Sequence, residues 1–398
     1  MKPINWSGRS HDYTNNEIKF LSKVIKSSDP LTGGKYLKLF EKSLSKYLKC
    51  KNIFAVSSAA AALEIISVLC KFKPGDEVII PAHTYCASAI SFARNGAKIV
   101  WADIDIRTRV LSEEDVIKKI NKKTRAIVVV HLYGFAFDTQ KLKKKIRNNI
   151  LIIEDCAQAF GAEIKNKKVG TSGDFSCFSF HAQKNLTTLG EGGAIYVKKK
   201  SNAKYVTGLR HNGHTPYKNQ KKFYWKPAMG NVDLDINFKW PYKFTMTEIQ
   251  AAAGFLVLKR IDKLNNLRIQ RAKKFINEMR DFKFLEFHQS FKNFRHVYHL
   301  LVCRVLDKNI KRDDLIYDLY YNQKVQCVVQ YYPLYKYPLF KKMGVKKRNC
   351  PNTENFFNNM ISFPFHTWMS NKDFARMIAK VKNTLKKLND SSKKKNYK

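Results

Sequence analysis

The chain has 398 residues, more than one ordinary core encloses and enough for a large domain with a smaller one. Its 44% hydrophobic content is that of a globular protein, with no run of about 18 apolar residues to span a membrane and no apolar stretch of a signal peptide at its start. The formal net charge is +42, but lysines accompany asparagines and isoleucines along the whole chain, so compositional bias explains the charge better than a nucleic-acid or membrane surface does.

In chain order, residues from about 15 to 200 alternate short apolar runs with amphipathic stretches. Phe54-Ala55-Val56 reads as a buried strand, followed by an Ala-rich helix from Ala59 to Cys70. The turn Pro74-Gly75-Asp76 leads into a strand at Glu77 to Pro81, and Lys98 to Trp101 forms the next. Ala126 to Val130 and Leu151 to Glu154 are β-branched runs that suit strands covered on both faces of a parallel sheet. Phe175 to Ser179 and Ala194 to Val197 add two more. This alternation predicts an α/β domain with a mostly parallel sheet flanked by helices. Residues 202–245 read as an irregular excursion, Thr247 to Met279 as a long helical pattern, and the chain from about 285 as a smaller α+β unit. The expected division is 1–255 for the N-terminal segment and large domain, 256–388 for the small domain, and 389–398 for a disordered basic tail.

Ligands of an open α/β sheet bind beyond the carboxyl ends of its strands, so the residues that follow each strand are the candidates for chemistry. After Val56 come Ser57-Ser58-Ala59-Ala60 and a helix, which serves equally as a capped helix or as a phosphate cradle of backbone N–H groups. Tyr85, after the second strand, is either core or a ring-stacking aromatic. Asp155 ends a buried strand and needs a partner, either a protonated pyridine nitrogen or an ordinary cap or cation. Lys184 follows the strand that ends at Ser179, one strand from Asp155, in a stretch with few charged neighbours; a lysine there becomes a nucleophilic amine. Gly190 to Gly193 reads as a tight turn into a strand rather than a nucleotide loop. The ten histidines show no zinc spacing, His296 and His299 read as structural, and no metal site is expected. The eight cysteines form no CxxC pair and read as reduced thiols of a cytoplasmic protein.

From about residue 15 to 385 these blocks resemble the DegT/DnrJ/EryC1/StrS sugar aminotransferases, which are fold type I enzymes of pyridoxal phosphate (PLP). The blocks include Gly33-Gly34, Ser57-Ser58-Ala59, Pro74 to Val78, Thr84-Tyr85, His131 to Gly134 and Glu154 to Ala162. They continue through Ser179-Phe180, Lys184-Asn185, Glu191-Gly192-Gly193, Met246 to Ala252 and Tyr332-Pro333-Leu334. The resemblance implies that Lys184 is the Schiff-base lysine and that Asp155 holds the pyridine nitrogen protonated. It implies Gln158 near the cofactor's phenolic oxygen, Tyr85 on its ring, and Ala59, Ala60 and Ser179 at its phosphate. It further implies a homodimer in which Lys243 or Thr245 reaches the partner's phosphate. The implied reaction carries an amino group, through the pyridoxamine form, from glutamate to a nucleotide-linked keto sugar in amino-sugar or polysaccharide biosynthesis. Three positions depart from the pattern: Ala60 replaces Thr, Lys243 replaces Asn, and Gln330 rather than His precedes Tyr331. A sugar dehydratase of the same family would carry His in place of Lys184. A cyclitol aminotransferase would share every block. A regulatory or nucleic-acid-binding relative would be expected to have lost Lys184 or Asp155.

Overall fold

The computed structural model describes residues 2–215, 231–232, 239–289, 291–346 and 349–396. Its centre is a seven-stranded sheet of β1 (Ile53–Val56), β2 (Glu77–Pro81), β3 (Lys98–Ala102), β4 (Thr124–Val130), β5 (Leu151–Asp155), β6 (Phe175–Ser179) and β7 (Gly193–Val197). The spatial order is β1-β7-β6-β5-β4-β2-β3. Neighbours from β3 across to β6 are parallel, whereas β7 runs antiparallel to both β6 and β1. Six strands therefore share one direction, and their carboxyl ends open on one edge. The runs Val78 to Ile80, Ala126 to Val129 and Ile152-Ile153 are wholly buried, as strands covered by helices on both faces must be.

Helix α1 (Asn15–Ser27) begins with a capping box between Thr14 and Glu17, and α2 (Lys35–Leu48) buries Leu37, Phe40, Leu44 and Leu48 along one stripe. Helix α3 (Ala59–Cys70) buries every residue from Ala61 onward, which explains its nearly uninterrupted apolar sequence. Helix α4 (Ala87–Arg94) follows β2.

Three elements differ from the sequence expectation. The stretch expected to be irregular from 202 lies partly in a helix over Lys200–Leu209, and the short strands His214–Thr215 and Asn231–Val232 pair with each other. The rest of that excursion, 216–230 and 233–238, lies outside the described residues. The helical pattern from Thr247 is two helices, α5 (Glu248–Lys259) and α6 (Ile261–Glu278), parted at Arg260, whose φ is −115°. Arg260 is held there by Glu17 of α1, with Nε to Oε1 at 2.7 Å and Nη2 to Oε2 at 2.9 Å, so tertiary pairing interrupts a locally favourable helix. The division expected at 255 thus falls inside α5.

The smaller unit is an antiparallel sheet of β8 (Leu285–Phe287), β9 (Leu301–Val305) and β10 (Met360–Phe363), covered by α7 (Arg312–Tyr321) and α8 (Asn371–Asn396). It has its own core, which includes Phe275, Leu315, Phe363 and Val381. Ile4 enters that core and bonds across to Lys324 and Gln326, so the first residues pack on the smaller unit. The tail expected to be disordered from 389 is instead the end of α8 through Asn396. No Gly or Pro stands after Asn371 to stop the helix. Residues 397–398 lie outside the described residues. Among the described residues, no helix is long and apolar enough to cross a membrane.

One backbone contact fixes the edge where the chemistry would occur. Gly193 pairs with Val56 on one side and Ser179 on the other. A Cβ at this position would lie 2.4 Å from the carbonyl carbon of Ser58 and 2.6 Å from the nitrogen of Ala59. Gly193→Ala should therefore lower stability by about 1–3 kcal/mol, the usual cost of forcing atoms into a filled site. Urea denaturation reads this directly, and an unchanged midpoint would show that the Ser58 turn can move aside.

Candidate active site

The shared direction of six strands brings the ends of β1, β2, β5 and β6 to one edge. At the end of β1, Ser58 is extended and its Oγ accepts from the N–H of Ala61 at 3.0 Å, capping α3. The cap leaves the first-turn N–H groups of Ala59 and Ala60 without an acceptor among the described residues. Gly193 pairs with both Val56 and Ser179 and packs directly against this turn, so the start of α3 and Ser179 stand at neighbouring strand ends. Such a helix start attracts a phosphate.

Glu154 and Asp155, adjacent at the end of β5, point to opposite faces and have different surroundings. Glu154 is fully satisfied: it takes hydrogen bonds from Thr139 Oγ1 and from the N–H groups of Gly170, Ser172 and Gly173, and it pairs with His131 Nε2 at 3.2 Å. Burial alone would raise its pKa, but His131 and these amides hold it below the usual carboxylate value. Asp155, also buried, accepts from Ser88 Oγ at 2.7 Å on Oδ2 and from the N–H of Ala157 at 3.0 Å on Oδ1. No lysine or arginine among the described residues lies within ion-pair distance of it. One buried carboxylate thus has five protein contacts, a histidine among them, whereas its neighbour has no lysine or arginine within ion-pair distance among the described residues.

Lys184 sits in the loop between β6 and β7. Phe180 N–H donates to Gly192 O and Ala182 N–H to Gly190 O, both at 2.8 Å, so the loop closes as an irregular hairpin. Its neighbours are tied down as well: Gln183 Nε2 donates to Ser7 O at 3.0 Å, and Asn185 Nδ2 to Asn265 Oδ1 at 2.8 Å. Lys184 is half-buried, and burial pulls its pKa down to about 8 against the opposing pull of Asp155 and Glu191. At pH 7 about a tenth of such an amine is neutral, roughly 300 times the fraction in an ordinary lysine.

Tyr85 is 58% exposed, with its ring meeting Tyr331 edge-on at 6.1 Å. Gln158 is buried, accepts from Tyr133 N–H at 2.9 Å and donates to the Tyr331 hydroxyl at 2.8 Å. Lys243 is exposed, bridged to His211; the carbonyl of the next residue, Phe244, accepts from Ser57 N–H at 2.9 Å, beside the start of α3. Lys184, Asp155, Ser179, Ala59 and Ala60 therefore share the sheet edge, with Tyr85 and Gln158 joined through Tyr331. Ser88 and the positioning part of Tyr331 were not read from the sequence. Ser88 stands one helical turn after Tyr85, which was the available signal, but its bond to Asp155 spans 67 residues.

This layout, on a mostly parallel sheet with a smaller α+β unit, belongs to the fold type I transferases, which work through PLP. Residues 11–382 match the DegT/DnrJ/EryC1/StrS aminotransferase family. GDP-perosamine synthase of Vibrio cholerae is 32% identical over 88% of this chain and 90% of its own. The dTDP-3-amino-3,6-dideoxy-alpha-D-galactopyranose transaminase of Aneurinibacillus thermoaerophilus is 30% identical over 91% and 93%. Among solved structures, Helicobacter pylori PseC, an aminotransferase involved in the biosynthesis of pseudoaminic acid, superposes with a TM-score of 0.86 at 26% identity, covering 96% of this chain and all of that one. Spr1654 from Streptococcus pneumoniae, in its PMP-form, gives a TM-score of 0.86 at 28% identity over 96% of this chain and 100% of its own. The chain belongs to the DegT/DnrJ/EryC1/StrS family and is an aminotransferase.

The lowered pKa of Lys184 has a measurable consequence. Only the neutral amine attacks an aldehyde, so uptake of PLP by the apoprotein should quicken about tenfold per unit below pH 8 and level off above it. Absorbance after mixing follows this. A rate still climbing past pH 10 would mean that the amine keeps its ordinary pKa.

Proposed function

We propose that this chain transfers an amino group from glutamate to a nucleotide-linked keto sugar, with PLP held at the carboxyl edge of the sheet. The observation that carries the reading is the buried, cation-less carboxylate of Asp155 one strand from the low-pKa amine of Lys184. The rest of the edge fits the same cofactor: a ring nitrogen for Asp155, an exposed tyrosine for the ring, and the unpartnered first-turn amides of α3 for the phosphate. When bound, the cofactor supplies an aldehyde that carries the amino group and an electron sink for the charge released at the donor's α-carbon.

The chain's own residues do the rest. Asp155, oriented by Ser88 and Ala157, would keep the ring nitrogen protonated. Tyr85 would cover one ring face, and Gln158 would approach the phenolic oxygen with the Nε2 hydrogen that Tyr331 does not take. Ala59, Ala60 and Ser179 would hold the phosphate. Lys184 Nζ would take the proton from the donor's α-carbon and pass it to the cofactor's aldehyde-derived carbon. The acceptor class rests on the relatives, whose names specify GDP- and dTDP-linked amino sugars. The reading includes a homodimer in which Lys243 or Thr245 reaches the partner's phosphate, consistent with the exposure of Lys243 next to the cradle. It also includes a cytoplasmic setting, which suits eight cysteines that are all free thiols.

The test has two half-reactions. L-Glutamate should convert the PLP absorbance of the purified enzyme to that of the pyridoxamine form, and a keto-sugar nucleotide should restore it. Lys184→Ala should abolish both changes. Asp155→Asn should cut turnover by on the order of 10²-fold or more, the scale of losing one electrostatic partner of developing charge, with an unchanged circular dichroism spectrum. A wild-type spectrum that no amino acid alters, or full activity in Asp155→Asn, would overturn the reading.

A further inference from the structure

Around Gln158, four residues from three segments close a ring of hydrogen bonds. Tyr133, in the turn after β4, donates its backbone N–H to Oε1 of Gln158 at 2.9 Å. Gln158, in the turn after β5, donates Nε2 to the Tyr331 hydroxyl at 2.8 Å. The Tyr133 hydroxyl donates to the carbonyl of Gln330, the residue before Tyr331, which completes the ring. Gln330 and Tyr331 come from the smaller unit, where nearby Val328 exchanges two backbone hydrogen bonds with Ser362 of β10 at 2.9 and 3.0 Å. A fourth segment supports Tyr133. His83, after β2, has its Nε2 2.6 Å from the Tyr133 hydroxyl and its ring edge-on to Phe356 at 5.2 Å. Both His83 and Tyr133 are buried.

The chemistry of the donors leaves this ring one orientation. A backbone N–H only donates, so the Gln158 amide must turn its oxygen to Tyr133 and its two N–H groups away from it. One of these goes to Tyr331, and the other remains for a ligand. The single hydrogen of the Tyr133 hydroxyl goes to Gln330, so His83 is the donor between the two side chains and carries its proton on Nε2. Burial pulls the pKa of His83 down to about 3 and pushes both tyrosine hydroxyls above their usual value, so none of the three ionises near neutral pH. Tyr133 also keeps φ at 59° and ψ at 7°, a left-handed conformation that a bulky side chain seldom adopts. Such a conformation persists where the surroundings over-determine it, and residues of this kind gather at functional sites. Here one residue holds Gln158 by its backbone and the segment of Tyr331 by its hydroxyl.

We propose that Tyr133, supported by His83, is a positioning residue of the cofactor site, which sets the Gln158 amide and Tyr331 so that Gln158 Nε2 meets the cofactor's phenolic oxygen. The proposal rests on the transaminase reading and deepens it, since Tyr133 is fully buried and acts through Gln158 and Tyr331 rather than on the cofactor itself. A donor at the phenolic oxygen withdraws negative charge that holds the neighbouring Schiff-base proton, so it lowers the pH at which that proton leaves. Misplacing Gln158 therefore raises that pH.

The test is a pH titration of the PLP-loaded enzyme, followed by the visible absorbance of the cofactor. Tyr133→Phe, which keeps the ring and the backbone N–H, should raise the midpoint by about one pH unit, a tenfold change in the proton equilibrium. Gln158→Ala should raise it at least as far, and adding Tyr133→Phe to Gln158→Ala should move it no further, because the two act as one unit. His83→Phe should also raise the midpoint, whereas His83→Gln, which keeps an N–H, should hold it near wild type; this pair decides the matter if Tyr133→Phe does not fold. The ionisable groups that face Lys184 and Tyr331, namely Asp155, Glu191, Tyr85, Cys86, Cys177 and His299, are the same in every variant. A wild-type midpoint in folded Tyr133→Phe, or in both His83 variants, overturns the proposal. So does a Tyr133→Phe shift that persists in full beside Gln158→Ala. If the midpoints move as expected but no amino acid alters the wild-type spectrum, the positioning role stands and the transaminase reading falls. If glutamate converts the wild-type band and the midpoints do not move, the reverse holds.

Discussion

Asp155 is buried at the end of β5, where it accepts from Ser88 Oγ and from the N–H of Ala157 and, among the described residues, has no lysine or arginine within ion-pair distance. A buried carboxylate without a cation is costly, and the proposed cofactor site is built around this one. The contrast with Glu154 makes the point within a single chain. The two acids are adjacent, yet one has five protein contacts, including His131, and the other accepts from Ser88 and Ala157 with no cation, because successive residues of a strand face opposite sides. Lys184 responds to the same carboxylate: burial lowers its pKa, Asp155 raises it, and the balance near 8 leaves an amine that is both reactive and protonatable around neutral pH.

Most of the sheet was legible because its residues carry their own structural signal. Glu77 to Pro81 and Phe175 to Ser179 begin and end where the sequence predicts, and so does the helix from Ala59 to Cys70. A turn ahead of β2 and buried runs elsewhere leave few alternatives. Where tertiary contacts decided, the sequence misled: Glu17 parts the helical pattern at Arg260, and no local residue announces that break. The same limit applies to the site. Lys184 and Asp155 stand at strand ends and could be found there, together with the family pattern. Ser88 and Tyr331 meet their partners Asp155 and Gln158 across 67 and 173 residues, and no spacing rule reaches that far.

The edge offers donors of two kinds. At α3 they are the first-turn amides of Ala59 and Ala60, which have no acceptor among the described residues and depend only on the helix start, so Ala at position 60 leaves them intact. Beside Lys184 they are side chains from separate segments, among them Arg268, His299 and His366. Amides from a helix start are present as soon as β1, α3 and β7 assemble. The side-chain set depends on the packing of the N-terminal segment and the smaller unit against α6.

The chain's excess of 74 basic over 32 acidic residues makes the selectivity of these pockets a question of burial rather than of charge. A strongly positive surface draws every anion toward the molecule, an effect that salt screens within about 10 Å. It cannot tell a carboxylate from a phosphate. Inside the fold, burial reverses the trend: Lys184 is partly neutral and His299 and His366 are uncharged, each because water has been removed from it. Beside them stands Asp155, buried and, among the described residues, without a lysine or arginine within ion-pair distance. Attraction is thus general at the surface, and discrimination inside the fold comes from the particular groups that burial places there.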